Sequence, residues 1–530
     1  MANNQSNNIF DYIVVGTGPA GAVIAKTLTD DKKTSVLVLE AGDNNDNDVP
    51  IKDSRYAPKL EENYFPRYFW QGEGVPQEGV NERSFEWTTG RLSGGGSSIN
   101  GEQYVRPTPG VLREWERLLG SMWSPHQAIQ NFKMLEEFHG ETNDPEFHGF
   151  NGRLNIRQAP DIPPKVTEKF VQAMELATGF KRIVDYNDPR TPLGPFTQWQ
   201  LFQKINGLRE SSSTAFLSSD IMTSEGYGVN GRKLRVLYES TALRILFRDN
   251  TADGIEFLMA GKKVKAFARK KVIISAGINS AQLLLLSGIG PAKDLSQVGI
   301  PIVFDNPNVG QFLTNHTLNT AVFTMNKRDT SELRNDPFAL YTGGAFLPDP
   351  LKGNRSKRRS VQLIGTVSEG KFIIVILYLQ PNSRGNIQIQ NKDPLKIVLA
   401  DEGFLGNSDD LEVIKEIYRS YIKETAKRLA KIDPNYRLIE PSLETIDDDE
   451  KLEEFIKENF GHNHHQQSSL RMAPLNQGGV VDRFGNVYGV NNLLVADASI
   501  IPFTVDGNTS AAVYLIGYTI AQRLLQEEHG

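Results

Sequence analysis

A glycine-rich turn between an apolar run and a helical pattern is the sequence feature that most limits the fold of this chain. DYIVV at residues 11–15 predicts a buried strand, and GTGPAG at 16–21, followed by apolar residues at helical spacing, predicts a tight turn and a helix. Gly16 permits the turn, Gly18 lets a phosphate approach the backbone, and Gly21 lets the helix pack on the strand. The free amides and positive dipole at the start of such a helix suit a pyrophosphate.

An acidic residue completes the pattern at the end of the next apolar run. SVLVLE at residues 35–40 predicts a second strand that ends in Glu40, whose carboxylate is placed to bind a ribose diol and would repel a 2′-phosphate. Strand, turn, helix and acid together predict a dinucleotide-binding α/β domain with a doubly wound, mostly parallel sheet. FAD and NAD both fit this stretch, and a purely structural turn is the alternative.

Length and composition limit the remaining possibilities. A chain of 530 residues is expected to form more than one domain. The net charge of -6 argues against nucleic acid as a partner, and the lack of cysteine excludes disulfides, thiolate metal sites and cysteine nucleophiles. The apolar runs are too short for a membrane span, and MANNQSNNIF at the N-terminus has no signal-peptide pattern. We therefore expect a cytoplasmic protein.

Further motifs follow in a fixed order along the chain. They are GRLSGGGSSIN at 90–100, SAGINSAQLLLLSGIG at 275–290, PNVGQFLTNH at 307–316, QPNSRGNIQI at 380–389 and VVDRFGNVYGVNNLLVADASIIP at 480–502. In these motifs the chain resembles the glucose-methanol-choline (GMC) family of flavoproteins, and the likeness extends over essentially its whole length.

The resemblance implies FAD rather than NAD. It places Gly16, Gly18, Gly21 and Glu40 at the ADP half of the cofactor, and it implies four further contacts: Ser98 and Asn100 beside the flavin, Ala242 at the adenine, and Asp497 at the pyrophosphate or ribityl end. Some members carry a histidine bonded to the flavin just before the Asn100 position. Ile99 stands there in this chain, so we expect non-covalent FAD.

The resemblance also predicts a discontinuous domain arrangement. Residues 1–150, 212–316 and 466–530 are expected to form the Rossmann-like FAD-binding domain, and residues 151–211 and 317–465 an α+β substrate domain. Four β-rich runs between residues 360 and 400 (SVQLIGTV, FIIVILYL, NIQIQ and LKIVL) predict an antiparallel sheet that covers the flavin.

Oxidation of an alcohol by a flavin requires a base for the hydroxyl proton, and GHNHH at residues 461–465 supplies candidates. A metal site is disfavoured because cysteine is absent and no carboxylate stands at ligand spacing, so no metal is predicted. The family's motif His-Pro-x-Gly-Thr, with a methionine three residues on, resembles the segment from His465 to Met472 and makes His465 the predicted base. Gln466, Ser468 and Ala473 replace the usual proline and two glycines. His464 as the working group and a histidine run without a role are the alternatives.

Asn508 is the predicted partner of His465. It follows the last family motif, and its amide can hydrogen-bond the substrate oxygen without competing for the proton. The helix that the pattern predicts from Ser510 onward would point its positive end at the flavin. The substrate cavity is expected near Phe69, Trp70, Gln103 and His464.

The sequence thus predicts FAD-dependent oxidation of a small-molecule alcohol to an aldehyde or ketone. A hydride would pass to flavin N5, with His465 as the base and oxygen or another molecule as the final electron acceptor. Two alternatives remain at this point: an FAD-containing enzyme of the hydroxynitrile lyase type, and a flavoprotein without turnover.

Overall fold

A computed structural model describes residues 8–329, 336–353, 358–396 and 398–529 of the chain. Two large sheets organise these residues, one mixed and one antiparallel, and each packs against its own buried apolar cluster.

The mixed sheet contains the predicted N-terminal fingerprint at its centre. In spatial order its strands are Leu234–Leu237, Val36–Leu39, Ile9–Val15, Lys262–Ile274, Thr251–Met259 and Ser240–Arg248, with Leu493–Val495 paired to the end of Lys262–Ile274. Ile9–Val15 pairs in parallel with a neighbour on each side, while the Thr251–Met259 and Ser240–Arg248 hairpin extends the sheet antiparallel. Val36–Leu39 is buried along its whole length, which explains why it reads as an unbroken apolar run.

The carboxyl ends of the parallel strands bring distant motifs to one edge. Gly16, Glu40 and Ser275 directly follow three of these strands, and Asp497 follows the fourth after one residue. After the central strand Ile9–Val15, the chain first forms Val36–Leu39 on one side of it. It later adds Lys262–Ile274 on the opposite side. Ligands of open parallel sheets bind at the carboxyl edge beside such a switch point.

The antiparallel sheet lies in the other half of the fold. Its strands, in order, are Leu438–Glu440, Thr317–Phe323, Lys371–Tyr378, Val361–Ser368, Gly344–Leu347 and Gly194–Phe196. The short strand Gly461–His462 pairs with the start of Thr317–Phe323, so the histidine segment, residues 461–465, runs beside that strand.

The prediction of one antiparallel sheet across residues 360–400 is correct only in its first half. Val361–Ser368 and Lys371–Tyr378 belong to the antiparallel sheet, but Gly385–Gln388 and Leu399–Asp401 form a separate three-stranded sheet with Gln311–Leu313. Pro381 lies between the two pairs and has no amide to continue a ladder. Residue 397, within the last predicted run, lies outside the described residues.

The remaining strands form small sheets. They are Phe69–Gly72 with Trp87–Gly90, Ile289–Gly290 with Phe304–Asp305, and Glu136–His139 with Leu154–Ala159 and Trp199–Leu201.

Helices surround both large sheets. The α-helices are Pro19–Leu28, Val49–Lys52, Leu60–Tyr64, Pro109–Leu119, Pro125–Leu135, Lys165–Thr178, Ser212–Phe216, Asn279–Leu286, Ala292–Gln297, Ser408–Glu416, Lys423–Ile432, Leu443–Asp447, Asp449–Glu458 and Thr509–His529. Pro19–Leu28 and Thr509–His529 pack closely, because a Cβ on Gly517 would lie 2.6 Å from the Ala20 Cα. The N- and C-terminal motifs therefore meet on the mixed sheet.

A buried charge cluster stabilises the region beside the last helix. The imidazole of His148 lies 3.0 Å from Glu136 Oε1 and 2.9 Å from Asp185 Oδ2, and Arg106 also contacts Glu136. Burial alone would lower the pKa of His148, but its hydrogen bonds to Asp185 and Glu136 raise the pKa above the ordinary value. The raised pKa favours the imidazolium form of His148, which with Arg106 faces the two buried carboxylates.

Two sequence predictions are untouched by these observations. The predicted domain boundaries and the cytoplasmic location stay predictions. Among the described residues, helices long and apolar enough to cross a membrane are absent.

Candidate active site

The turn from Gly16 to Gly21 is shaped as a cradle for an anion. A Cβ on Gly16 would lie 2.4 Å from the Ser275 carbonyl oxygen, and one on Gly21 would lie 2.2 Å from the Gly16 carbonyl oxygen. A Cβ on Gly18 would meet no described atom within 4 Å, so this glycine borders open space. Gly18 begins the helix without a side-chain cap from the described residues, which leaves amides of the first turn for a ligand. This arrangement fits the pyrophosphate of a dinucleotide.

The glycine- and serine-rich motif at residues 90–100, called the Gly–Ser run below, covers this cradle and continues toward the C-terminal helix. A Cβ on Gly95 would lie 3.3 Å from the Gly18 Cα, and the Gly94 amide donates to Thr17 Oγ1 at 3.0 Å. The Ser98 hydroxyl donates to the Ser93 carbonyl inside the run. At its end, Asn100 Nδ2 donates to Ser510 Oγ at 3.2 Å. The run thus joins the phosphate cradle to the residues beside Asn508.

A buried arginine holds the end of the Gly–Ser run. The Arg209 guanidinium donates to the Asn100 carbonyl and side-chain oxygens, both at 2.8 Å, and to the Ser97 carbonyl. Glu102 lies 3.1 Å from the same guanidinium and is also buried. No local sequence pattern pointed to Arg209, because its partners lie more than a hundred residues away.

Glu40 lies at the carboxyl edge of the mixed sheet, as the pattern of strand, glycine turn, helix and acidic residue predicted. Its carboxylate accepts hydrogen bonds from the amide and hydroxyl of Thr17 and from the Gly42 amide, and burial raises its pKa. Ser240 donates its amide to the Glu40 carbonyl, which places Ala242 two residues along the adjoining strand. Ala242 and Glu40 therefore lie near one another at this edge.

Asp497 joins the last strand to the Ser275–Gly290 motif. Its two carboxylate oxygens accept hydrogen bonds from Ser499 and from the Gly277 amide and Ser280 hydroxyl. Four donors of the chain therefore occupy the side chain. Its predicted contact with the cofactor stays a prediction.

His465 and His316 form a hydrogen-bonded pair whose tautomers follow from their partners. His316 is fully buried, its Nε2 lies 2.9 Å from the Val505 carbonyl, and its Nδ1 lies 2.8 Å from His465 Nδ1. Burial lowers the pKa of His316 to about 4, so the ring is neutral at pH 7. A carbonyl can only accept, so the single proton of His316 is on Nε2. His316 Nδ1 must then accept the Nδ1 proton of His465, which leaves His465 Nε2 unprotonated.

The assignment fixes how the Asn463 amide must be oriented, because its oxygen has to face the proton on His465 Nδ1. Its Nδ2 as placed lies 3.0 Å from His465 Nδ1, and rotation of the amide turns the oxygen toward the same proton. The opposite arrangement would make His316 doubly protonated, which its burial opposes.

Asn508 faces the unprotonated nitrogen of His465. Asn508 Nδ2 lies 3.3 Å from His465 Nε2 and donates to Gln103 Oε1 at 2.8 Å. Asn508 Oδ1 accepts from Gln362 Nε2 at 3.0 Å, so both ends of the amide are fixed. The structure brings together the two residues that the sequence predicted as a pair, and adds Gln103 and Gln362 as their supports.

The four residues predicted near the substrate have different surroundings. His464 is exposed, with its Nδ1 3.5 Å from Thr88 Oγ1, and its ring packs on His462. Phe69 is buried, and Trp70 lies under the Arg91 guanidinium. Of the four residues, Gln103 is the one in contact with Asn508.

The backbone around His465 adopts left-handed conformations despite the missing glycines. Ser468, at a position where the family usually has glycine, has φ +72°, and His464 has φ +50°. The buried Ser468 hydroxyl has no partner within the described part of the chain. The loop therefore keeps a glycine-like geometry at an energetic cost.

Within the described ranges, no group of three or more histidine and acidic residues is arranged to hold a metal ion, and the absence of a metal stays a prediction.

Comparison with known proteins identifies the family. Two GMC oxidoreductase family models match residues 10–318 and 381–517. An alcohol dehydrogenase [acceptor] from Pseudomonas putida is 30% identical over 98% of this chain and 96% of its own length. An oxygen-dependent choline dehydrogenase from Rhizobium johnstonii is 26% identical over 98% and 96%. The crystal structure of pyridoxine 4-oxidase from Mesorbium loti superposes with a TM-score of 0.85 at 24% identity, over 98% and 99% of the two chains. The chain therefore belongs to the GMC oxidoreductase family, the FAD flavoproteins whose members oxidise the CH–OH groups of alcohols.

Proposed function

We propose that His465 is the base that removes the hydroxyl proton of an alcohol, and that it acts through Nε2. The observation that carries this proposal is the chain of hydrogen bonds from Val505 through His316 to His465. It leaves the lone pair of His465 Nε2 beside Asn508, which directly precedes the helix Thr509–His529.

The charge state of His465 suits a base. Burial, with His316 and His464 nearby, holds the pKa of His465 well below its usual range, which favours the neutral ring with Nε2 free to accept a proton. Once the ring takes a proton, its Nδ1–H strengthens the hydrogen bond to His316, because a charged donor binds more strongly than a neutral one. Asn508 Nδ2 is then free to donate to the substrate oxygen. FAD, when bound, supplies the acceptor for the hydride.

We further propose the cofactor contacts that the motifs imply. Gly16, Gly18, Gly21 and Glu40 would hold the ADP half, with Ala242 at the adenine and Asp497 toward the pyrophosphate or ribityl end. Ser98 and Asn100 would lie beside the flavin, where the Gly–Ser run approaches Ser510. Ile99 has no atom able to bond to the flavin, which supports FAD held without a covalent link.

The domain assignment is part of the proposal. Residues 1–150, 212–316 and 466–530 would form the FAD-binding domain, and residues 151–211 and 317–465 the substrate domain. The two large sheets support this division, because the mixed sheet draws its strands from the first set and the antiparallel sheet from the second.

An anaerobic substrate screen tests the proposed function. Aryl, furan, sugar and aliphatic alcohols are added to the yellow protein, and loss of the flavin absorbance with one of them is the expected result. Persistent colour with every alcohol would contradict it and would favour a lyase or a flavoprotein without turnover. Readmitted air then separates an oxidase, which reoxidises quickly and yields hydrogen peroxide, from a dehydrogenase that uses another acceptor.

Single variants test the assignment of the base. His465→Ala should slow flavin reduction by about two to four orders of magnitude, the usual contribution of a positioned base. His464→Ala is the matched control, and its reduction rate at saturating alcohol should stay within about threefold of the wild type, well below that contribution. An impaired His464→Ala with an unimpaired His465→Ala would assign the base to the other ring.

A further inference from the structure

A buried carboxylate outside the proposed catalytic pair is connected to the backbone of His465. Glu402 follows the strand Leu399–Asp401 and is 5% exposed. Its Oε1 accepts from Asn315 Nδ2 and from Gln466 Nε2, both at 2.9 Å. Burying a carboxylate is costly unless donors satisfy it, so these two hydrogen bonds hold their partners firmly.

Both donors adjoin His465. Gln466 is the next residue in the chain, and Asn315 Oδ1 accepts the His465 backbone amide at 2.9 Å. The backbones of Thr314 and Gln467 exchange two hydrogen bonds, at 3.1 and 3.0 Å. Residues 314–316 therefore hold residues 465–467 through the backbone, the Asn315 side chain and the pair of imidazoles, and Glu402 anchors both segments.

The local backbone needs such an anchor. Residue 466 is glutamine, so no proline ring fixes its φ, while His464 and Ser468 on either side have φ +50° and +72°. A segment with two residues in the left-handed region relaxes unless its surroundings hold it. A small rotation there would move His465 Nε2 away from Asn508.

The second carboxylate oxygen also has a defined neighbour. Glu402 Oε2 faces His462 Nδ1 at 3.9 Å, and neither atom has a hydrogen-bond partner among the described residues. Because the His462 ring already hydrogen-bonds the Glu86 backbone, Nδ1 remains an acceptor. An amide nitrogen at the Oε2 position would therefore meet an acceptor, and the Oε1 contacts would be kept.

We propose that Glu402 is a positioning residue for His465: through Asn315 and Gln466 it fixes the backbone that aims the imidazole at Asn508. This rests on the proposed function of His465. It adds a long-range contact, between residues 402 and 315, on which the rate of proton removal depends.

Three variants test the proposal by anaerobic flavin reduction at saturating alcohol, with FAD content and thermal midpoint measured beside it. In Glu402→Ala the flavin should be reduced about 10- to 100-fold more slowly, the scale set by a misplaced catalytic group. Its FAD content should be unchanged, and the half-saturating alcohol concentration should change far less than the rate. Glu402→Gln keeps the Oε1 acceptor and should recover to within about threefold, well inside that scale. Asp410→Ala is the control: Asp410 is equally buried and accepts from Asn382 and Ser383, so the thermal midpoint should fall and the reduction rate should not.

Two outcomes would overturn the proposal: a wild-type rate in Glu402→Ala, or a Glu402→Gln as slow as Glu402→Ala. Should Glu402→Ala not fold, Asn315→Ala removes the link to the His465 amide, and a wild-type rate there would overturn it equally.

A spectroscopic measurement separates failure of this inference from failure of the proposed function. The proton between His465 Nδ1 and His316 Nδ1 should give a downfield NMR resonance that disappears in His465→Ala and needs no alcohol. Glu402→Ala should shift or broaden it, and Glu402→Gln should restore it. An unchanged resonance in Glu402→Ala refutes the role of Glu402 whatever the activity. A shifted resonance in a protein that no alcohol reduces would leave this inference standing and refute the proposed function alone.

Discussion

Replacing His316 with leucine tests the proton arrangement on which the base depends. His316→Leu fills a similar volume but removes His316 Nδ1, which lies 2.8 Å from His465 Nδ1 and accepts the proton on that nitrogen. In the transition state that proton belongs to a ring gaining positive charge, and a hydrogen bond to a charged group contributes about 1.5–3 kcal/mol. At about 1.4 kcal/mol per tenfold, flavin reduction should slow by about 10- to 150-fold.

The assay is stopped-flow reduction of the flavin without oxygen, at pH 7 and saturating alcohol. His316→Gln is the conservative variant, because its amide can donate to Val505 and accept from His465, and it should be faster than His316→Leu. His464→Leu replaces a neighbouring exposed imidazole and should reduce at close to the wild-type rate. A His316→Leu enzyme within about twofold of the wild type would refute the tautomer argument, because that difference is below about 0.5 kcal/mol.

Three further predictions concern the cofactor cradle, the backbone after His465 and the buried charge cluster around His148. Gly18→Val should leave the thermal midpoint of the apoprotein nearly unchanged and weaken FAD binding at least about tenfold, because a Cβ there would point into open space; equal affinity in a fluorescence titration would contradict it. Ser468→Gly should raise the free energy of unfolding by about 1 kcal/mol in chemical denaturation. The variant removes left-handed strain and a buried hydroxyl without a described partner, and this gain outweighs the flexibility that glycine adds to the unfolded chain. A less stable variant would show that φ +72° at Ser468 costs little. The pKa of His148 is raised in the folded protein, so its stabilising effect is complete below about pH 6.5 and is lost as the pH rises through the folded-state value. The thermal midpoint should therefore fall with rising pH more steeply in the wild type than in His148→Gln, and parallel curves would refute the role of the imidazolium.

The features that the sequence predicted well depend on residues near one another in the chain. Gly16, Gly18 and Gly21 lie within six residues, and the turn they form follows from the steric limits of that short segment. The start of the last helix, directly after Asn508, was also predictable from residues that are neighbours in the chain. The histidine segment was recognised for a related reason, because its residue types and spacing resemble one motif.

The less successful predictions depended on pairing between distant segments. The strand Gly385–Gln388 has the composition expected of the antiparallel sheet, but it pairs with Gln311–Leu313 instead. Strand composition reflects a half-buried surface and does not specify the partner. Arg209 and Glu402 gave no signal for the same reason, since each acts on residues more than sixty positions away.

The sequence by itself determined the family and the cofactor class, and it predicted the dinucleotide cradle and the pair formed by His465 and Asn508. Only the tertiary structure decided which nitrogen of His465 is unprotonated and what holds the ring in place, because the deciding partner, His316, is 149 residues away in the chain. A proton position follows from the last acceptor in a connected series of hydrogen bonds, here the Val505 carbonyl. That series exists only after both sheets and the C-terminal helix have packed together.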